Sequence, residues 1–295
     1  MQTSLASVLE QYIAEDAYVI WQTGHIPTSF IANFTAAMEA NRYYYDNPQW
    51  AKGYFEACHR DEAFKGCWRA AMGSWDDKIV VDIGCGPGNL YASLGGSPRL
   101  LIGIDISRTS LEMARTIGYI PIFADAHNLP FIDEFADIVA LNATLHHCDN
   151  MTQVLAEAAR LVRPGGLLIT DHDPQLTAWN WRGLGMLLYK IRVPIYRLMS
   201  GGKLMSQKKH DAMIASETHH KPGAGVTPEL YYQTLEPLGF TVKVYPHNHT
   251  LGAEVLQGIY GRSQIKYRFS QWLSGINPNS PEAALSLMCV ARRNA

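Results

Sequence analysis

Clustered cysteines are missing from the sequence. Its 295 residues contain five cysteines at wide spacings, without a Cys-x-x-Cys pair. Disulfide frameworks and cysteine-based zinc sites both require closely patterned cysteines. The sequence therefore predicts reduced thiols, a cytoplasmic location and no bound metal ion.

Long apolar runs are missing as well. No uninterrupted apolar stretch reaches the roughly 18 residues that a membrane-spanning helix needs. Residues 1–21 lack a basic start, and Gln11, Glu15 and Asp16 interrupt their apolar positions, which is not the pattern of a signal peptide. We expect no stable insertion into a membrane.

The chain has little net charge of either sign. It carries 25 Lys and Arg against 27 Asp and Glu, a formal net charge of −2. This balance provides no overall attraction to nucleic acid, so we expect a small molecule rather than nucleic acid as the partner. Hydrophobic residues make up 47% of the chain, which is typical of a globular protein with a substantial core. The oligomeric state stays open.

Two kinds of pattern divide the chain. Residues 1–75 are predicted to be helical, because apolar residues recur at helical spacing, as in Ile31, Phe34 and Met38. From residue 76 onward, short apolar runs end in turn or acidic residues. We expect a leading helical segment, residues 1–75, and one elaborated domain, residues 76–295.

The short apolar runs predict a sheet. Five successive runs and two later ones occupy residues 78–84, 99–107, 120–126, 135–142, 166–173, 240–248 and 284–293. The first five are too apolar to have one face in water, and helical stretches alternate with them. An α/β fold follows, with a doubly wound, Rossmann-like sheet of seven strands and right-handed crossovers.

Two insertions interrupt this alternation, at residues 174–221 and 247–275. The first follows the fifth strand, and Leu184, Leu187 and Ile191 share one helical face within it. Because ligands bind beyond the carboxyl ends of strands in such sheets, we interpret it as a helical lid. A structural packing helix is the equal alternative, and a membrane-surface helix is disfavoured by the small basic cluster.

The segment VVDIGCGPGN, residues 80–89, stands where a predicted strand gives way to a helix. Gly84, Gly86 and Gly88 allow a sharp turn and a close approach of the backbone to a ligand. Backbone N–H groups at the start of the helix favour an anionic group. The next strand ends in Asp105, whose carboxylate can accept both hydroxyls of a ribose. Together these features predict nucleoside binding.

A dinucleotide fingerprint would need glycine at the position of Asn89, which disfavours NAD and FAD. The ordered motifs resemble instead the class I S-adenosylmethionine-dependent methyltransferase family, over about residues 78–173 and more weakly in the last third. These motifs are VVDIGCGPGN, GIDIS, ADAHNLPF, NATLHH and EAARLVRPGGLLITD. The resemblance implies an enzyme of this family that acts on a small molecule, with S-adenosylmethionine as its cofactor.

The resemblance implies that the glycine loop holds the methionine part of the cofactor. The loop residues are Asp82, Gly84, Cys85, Gly86 and Gly88. Cys85 is expected to serve only for packing.

Four further positions follow from the resemblance. Asp105 would bind the ribose hydroxyls, and Ile106 would lie against the adenine face. Asp125, with Ala126 beside it, would accept a hydrogen bond from the adenine amino group. Asn142 would end the fourth strand under the methionine. An amine donor needs such an acceptor, and a flat ring needs an apolar wall.

A base for the acceptor is expected at the same rim. His146 and His147 follow the fourth strand and Asp171 ends the fifth, so topology makes them neighbours. An imidazole with a pKa near 6.5 suits a base at neutral pH. Some small-molecule O-methyltransferases, sugar-modifying ones among them, are similar in having a His pair and an acid at these places. We predict that His146 or His147, helped by Asp171, activates the acceptor. The alternatives are the other nearby histidines, His172, His219 and His220.

Aromatic residues in the accessory segments, among them Trp179 and Trp181, favour a small, apolar or aromatic metabolite as acceptor. The resemblance of the histidine pair to that of O-methyltransferases favours O-methylation. By resemblance, one of Tyr43, Tyr44 and Tyr45 would reach the cofactor carboxylate.

Other functions stay open. One is a methyltransferase that acts on a macromolecule. Enzymes that methylate adenine amino groups or glutamine amides tend to have an Asn-Pro-Pro-aromatic turn after the fourth strand. This chain has Asn142-Ala143-Thr144 there, which disfavours that class. The remaining alternatives are an NAD-dependent oxidoreductase, a non-catalytic cofactor-binding protein, and an N- or C-methyltransferase of a small molecule.

Overall fold

A computed structural model describes residues 8–22, 24–59, 61–200 and 207–295. The first seven residues of the predicted helical segment and residues 201–206 of the first insertion therefore lie outside the described part of the chain.

The described residues form one mixed sheet of nine strands in the order β1-β2-β5-β4-β3-β6-β7-β9-β8. The strands are β1 (Val19–Ile20), β2 (Thr28–Ser29), β3 (Ile79–Ile83), β4 (Leu100–Asp105), β5 (Ile120–Phe123), β6 (Ala136–Asn142), β7 (Val162–Pro174), β8 (Phe240–His247) and β9 (Ser286–Arg293). The strands from β2 to β7 pair in parallel, whereas β9 is antiparallel to both β7 and β8. This is the predicted doubly wound α/β architecture.

The prediction of seven strands was wrong by two. All seven predicted strands are present, and β1 and β2 extend the sheet beyond β5 through the pairing of Thr28 with Phe123. Each added strand has only two residues. A strand that short shows no alternation of apolar and polar residues, so sequence periodicity does not reveal it.

Helices cover both faces of the sheet. They are α1 (Ala36–Tyr45), α2 (Pro48–His59), α3 (Glu62–Met72), α4 (Asn89–Leu94), α5 (Arg108–Thr116), α6 (Met151–Leu161), α7 (Leu176–Trp179), α8 (Gly183–Ser200), α9 (Gln207–Ser216), α10 (Pro228–Leu235) and α11 (Ile265–Leu273). Short polar residues begin several of them: Thr35 accepts a hydrogen bond from the Met38 N–H at α1, and Thr227 accepts one from the Leu230 N–H at α10. Such side-chain caps satisfy N–H groups that a helix leaves unpaired at its start.

Two hydrophobic cores lie on the two faces of the sheet. Val81 and Ile102 point into one core with Tyr231 of α10, and the neighbouring Val80 points into the other with Trp68 of α3. Successive residues of a strand face opposite sides, so a strand buried on both faces must be apolar throughout. This explains the continuous apolar runs in the sequence.

The first insertion is helical, as predicted. Its helix α8 packs against α11 of the second insertion, and α9 packs against α1. Of the helices that the structure describes, none is both long enough and apolar enough to cross a bilayer.

Candidate active site

A cleft opens at the carboxyl ends of β3, β4 and β6. This is the edge at which open parallel sheets bind ligands. Nearly all residues predicted to bind the cofactor line it, namely Asp82, Gly84, Cys85, Gly86, Asp105, Ile106, Asp125, Ala126 and Asn142. The remaining predicted residue, Gly88, is not among the lining residues; it lies at the end of the loop, with its backbone in the left-handed region at φ +89°.

Helix α1 forms one wall of the cleft through Met38, Asn41 and Tyr45. Tyr45 is therefore the member of the tyrosine run that reaches the site, a choice that spacing alone left open. Side-chain hydrogen bonds fix the helix: Asn41 donates to the His147 carbonyl at 3.2 Å, and Asp46 at its end accepts from the Ser107 hydroxyl at 2.8 Å.

The glycine loop is bent by left-handed residues and tied to the neighbouring strand. Gly84 and Cys85 both donate their N–H groups to the Ile104 carbonyl, at 2.8 and 3.0 Å. Gly84 has φ +68°, and a Cβ there would lie 2.5 Å from the Thr144 side chain. Gly86 has φ +53°, and a Cβ there would meet no atom within 4 Å. The first glycine is required by packing, whereas the second keeps space free at the cleft.

Asp105 lies at the end of β4, and each of its carboxylate oxygens accepts one hydrogen bond from a backbone N–H. Oδ2 accepts the Gly86 N–H at 2.9 Å, and Oδ1 accepts the Ser107 N–H at 2.8 Å. A carboxylate oxygen has two lone pairs, so each oxygen keeps one acceptor position. Burial raises the pKa of Asp105 to about 6, although these hydrogen bonds oppose the shift. The residue can accept two hydroxyls, as the sequence predicted for a ribose.

Asp82 and Asn89 each have a buried acceptor in the cleft that lacks a donor. Asp82 accepts the Tyr119 hydroxyl at 2.7 Å through Oδ2, but its Oδ1 has no hydrogen-bond partner, and neither does Oδ1 of Asn89. Both residues line the cleft. Burial raises the pKa of Asp82 to about 7. Unpaired buried acceptors are rare in folded proteins, so these oxygens fit a donor supplied by a ligand, such as an ammonium group.

Asp125 lies at the other end of the cleft, near Ile106 and Ala126. Its Oδ1 accepts the His127 N–H at 3.0 Å and contacts Nδ1 of the same residue at 2.7 Å. Burial would raise the pKa of Asp125, but these contacts with His127 outweigh it and lower the pKa. An ionised acceptor beside two apolar side chains suits a flat ring with an amino group.

Cys85 is buried in the loop, and its thiol contacts the Gly86 carbonyl at 3.4 Å. Burial and the nearby carboxylates raise the pKa of the thiol well above its usual value. Such a thiol is a poor nucleophile, which agrees with a packing role.

His146 is buried behind the cleft and held between two carboxylates. Its Nδ1 lies 2.8 Å from Asp173 Oδ1, and its Nε2 lies 3.4 Å from Glu217 Oε2. Burial acts to lower the pKa of His146, but the contacts with Asp173 and Glu217 outweigh it and raise the pKa to about 9.

His147 is the member of the pair that lines the cleft. Its Nδ1 lies 2.7 Å from the Ser216 carbonyl, and its Nε2 lies 3.4 Å from the Tyr45 hydroxyl. A carbonyl only accepts hydrogen bonds, so Nδ1 carries the hydrogen and Nε2 presents its lone pair. Burial, together with His146, lowers the pKa of His147 to about 4.

The expected contact of Asp171 with the histidine pair is absent among the contacts described for these residues. Asp171 instead lies 2.7 Å from His247 Nε2 and 3.0 Å from His172 Nδ1, and Asp173 takes the predicted place beside His146. The cause is a bulge in β7, where the register shifts between Thr170 and Asp173 and His172 has φ +63°. A bulge inserts one residue, so the two aspartates no longer share a face.

The three alternative histidines lie in two different places. His172 belongs to the Asp171 cluster, together with His247 and His249. His219 donates its backbone N–H to the His146 carbonyl at 2.8 Å, and His220 Nδ1 contacts Glu217 Oε2 at 2.9 Å.

Sequence reasoning missed Asp173, Ser216 and Glu217. Asp173 was within reach, because it is the second aspartate of the run Asp171-His172-Asp173 at the same strand end. Glu217 and Ser216 carry no motif, since they come from the far end of the insertion and reach the site only through the packing of α9 on α1.

Residues 81–170 match a family model described as a methyltransferase domain. The matched stretch contains the glycine loop, Asp105, Asp125 and the histidine pair. Over these residues the chain is similar to a methyltransferase domain. The glycine loop, which departs from the dinucleotide fingerprint at Asn89, lies within this stretch.

Similar sequences include methyltransferases whose names give different acceptors. One is phthiotriol/phenolphthiotriol dimycocerosates methyltransferase 1 of Mycobacterium ulcerans, 34% identical over 112 residues, covering 35% of this chain and 41% of the relative. Another is the tRNA (carboxymethyluridine(34)-5-O)-methyltransferase of Arabidopsis thaliana, 34% identical over 104 residues, covering 34% and 24%. The chain thus spans less than half the length of these curated relatives.

A solved structure with the same fold is a Thermotoga maritima S-adenosylmethionine-dependent methyltransferase, described as a possible histamine N-methyltransferase. It has a TM-score of 0.52 and 18% identity, covering 85% of this chain and 99% of that one. The likeness concerns the fold alone.

Proposed function

We propose that the chain transfers the methyl group of S-adenosylmethionine to a small-molecule acceptor. The observation that carries the proposal is the set of open acceptor positions in the cleft. Asp105 keeps one lone pair on each oxygen, and Asp82 and Asn89 each have a buried oxygen without a donor. A ribose diol and an ammonium group supply the donors that these positions need.

The residues that would hold the cofactor divide it into three parts. Asp82 and the glycine loop would bind the amino acid part, and Asp105 would bind the ribose. Ile106 and Asp125 would bind the adenine ring and its amino group. When bound, the cofactor supplies an electrophilic methyl group for in-line displacement, so the chain must hold a nucleophile about 3–3.5 Å from the methyl carbon.

The acceptor would lie at the histidine end of the cleft. His147 presents an unprotonated Nε2 there, which suits an acceptor hydroxyl and favours O-methylation. The ring of Trp179 lies 4.4 Å from that of His220, centroid to centroid, and Tyr267 lies against Trp179, so aromatic side chains lie next to the histidine cluster. We propose a small, apolar or aromatic metabolite rather than a nucleic acid as acceptor.

The sequence suggested that one histidine, His146 or His147, removes a proton from the acceptor. The site fits that role less well. A general base works best with a pKa near the operating pH. The pKa of His146 is about 9 and that of His147 about 4, on either side of neutrality. We therefore assign activation of the acceptor to the whole cluster of His146, His147 and Glu217.

The first insertion would act as the cover over this end. Its residues Ser216 and His219 bond to the two histidines through the backbone, and α9 packs on α1, which walls the cleft. The leading segment, residues 1–75, and residues 76–295 would thus form one functional unit, because α1 belongs to the leading segment.

Two measurements test the function. Calorimetry with S-adenosylmethionine and NAD, each alone, distinguishes a methyltransferase from an oxidoreductase; we expect binding of the first only. A screen of small hydroxylated aromatic compounds with radiolabelled cofactor then distinguishes an enzyme from a non-catalytic binding protein. Binding of the cofactor without label transfer to any acceptor would favour the non-catalytic alternative.

A further inference from the structure

We propose that His146, His147 and Glu217 form a binding site for a divalent transition-metal ion such as Zn²⁺. One nitrogen of each histidine and one carboxylate oxygen lie within 4.8 Å of one another. Two imidazoles and a carboxylate form a ligand set that such ions favour. The site lies at the acceptor end of the cleft, which His147 lines.

The distance between His146 and Glu217 suits two ligands of one ion. Nε2 and Oε2 are 3.4 Å apart. A charge-assisted hydrogen bond between them would be about 2.7–2.9 Å long. Two ligand atoms at about 2.1 Å from a tetrahedral ion are about 3.4 Å apart. The observed separation therefore leaves room for an ion between the two side chains.

Both histidines are oriented through the nitrogen that faces away from the site. Asp173, itself buried, contacts His146 Nδ1 at 2.8 Å, and the Ser216 carbonyl contacts His147 Nδ1 at 2.7 Å. Histidines that bind metals almost always use the second nitrogen in this way, toward a carboxylate or a backbone carbonyl. With Nδ1 engaged in this way, Nε2 of each histidine is the atom that would bind the ion, and the Tyr45 hydroxyl, 3.4 Å from His147 Nε2, would give way to it.

The negative charges near His146 also match a doubly charged ion. Two carboxylates, Asp173 and Glu217, lie close to His146. His220 contacts the same Glu217 oxygen at 2.9 Å and would orient it. A doubly charged ion with two neutral imidazoles would offset the two carboxylates without leaving a buried charge unpaired.

Three protein ligands leave at least one coordination position open, as in catalytic zinc sites. His147 lines the cleft, so that position faces the proposed acceptor. There the ion would lower the pKa of the acceptor hydroxyl, whose proton passes to water. The acceptor oxygen then bonds to the methyl carbon as the carbon–sulfur bond breaks, and the electron pair of that bond stays on sulfur. This role rests on the proposed function, whereas the metal site does not.

The full chain, stripped with a chelator, tests the site by titration with Zn²⁺ in a calorimeter and with Co²⁺ by visible absorption. We expect one ion per chain and the absorption of a four-coordinate Co²⁺ site. Glu217→Gln and His147→Ala should abolish the Co²⁺ spectrum, and Asp173→Asn should weaken Zn²⁺ about 10–100-fold by loosening His146. His25→Ala, at an exposed histidine, is the matched control and should bind like the parent.

Circular dichroism shows whether each variant folds, and cofactor affinity is measured on the same samples. Absence of stoichiometric binding to the parent protein would overturn the metal site. Binding that persists unchanged in folded Glu217→Gln and His147→Ala would overturn it too. Cofactor binding without metal binding rejects the metal site alone. Metal binding without cofactor binding rejects the proposed function and leaves the site standing.

Discussion

The Asp105 carboxylate accepts the Gly86 backbone N–H at 2.9 Å, which joins the end of β4 to the glycine loop. The residue expected to bind a ribose therefore also holds the loop expected to bind the amino acid part of the cofactor. A hydrogen bond thus connects the two halves of the proposed cofactor site.

Replacing Asp105 by Ala should weaken S-adenosylmethionine while the chain stays folded. The side chain offers charge-assisted hydrogen bonds worth roughly 1.5–3 kcal/mol, which corresponds to roughly 10–150-fold in Kd. Calorimetry on the purified variant measures the loss. Asp16→Ala, at an exposed aspartate that does not line the cleft, is the control. Equal affinity of folded Asp105→Ala and the parent would show that this carboxylate does not hold the cofactor.

Two loop glycines should respond differently to the same change. Gly84→Ala forces a left-handed alanine and a clash with Thr144, so it should cost about 2–4 kcal/mol of unfolding free energy. Gly86→Ala meets no neighbour and should cost only about 1–2 kcal/mol, but its methyl group should weaken cofactor binding by about tenfold or more. Urea unfolding and calorimetry separate the two effects. The opposite ranking in stability would contradict this account of the loop.

Cofactor binding should release protons near neutral pH. In the unliganded chain the pKa of Asp82 is raised to about 7 and that of Asp105 to about 6 by burial. A cationic ligand and hydroxyl donors favour the ionised carboxylates, so binding lowers both pKa values. Affinity should therefore fall as the pH drops from about 8 to about 5, where the carboxyl groups are protonated before binding. Calorimetry in buffers of different ionisation enthalpy counts the protons. A constant Kd and no buffer dependence would argue against carboxylate contacts.

Much of the cleft lining could be predicted because it is local in sequence. The glycine loop, Asp105 and Asp125 each follow a buried strand, and parallel strands bring their carboxyl ends to one edge. Burial on both faces makes those strands continuous apolar runs that are easy to recognise. The fold and the placement of these residues in one cleft therefore follow from short segments.

The acceptor end could not be predicted in the same way. One bulge at His172 exchanges the roles of Asp171 and Asp173, and a single inserted residue leaves no trace in apolar periodicity. Glu217 reaches His146 only because α9, at the end of the insertion, packs on α1. Both facts depend on tertiary packing, which pattern and spacing do not encode.

Hydrogen exchange should report closure around the cofactor. Helix α1 provides Met38, Asn41 and Tyr45 to the cleft, and α9 packs on it. With S-adenosylhomocysteine bound, exchange should slow across residues 36–45 and 207–221, because both segments close on the filled cleft. Helix α10 lies outside the cleft lining and serves as the internal reference. Slower exchange at α10 alone, with the other two segments unchanged, would speak against a cover.

The central claim is that this cleft binds S-adenosylmethionine for methyl transfer. The most direct measurement is a calorimetric titration of the full chain with S-adenosylmethionine, with NAD titrated in parallel. The account predicts saturable binding of one S-adenosylmethionine per chain, lost or strongly weakened in Asp105→Ala, and no saturable binding of NAD. Saturable binding of NAD together with no heat from S-adenosylmethionine would contradict it.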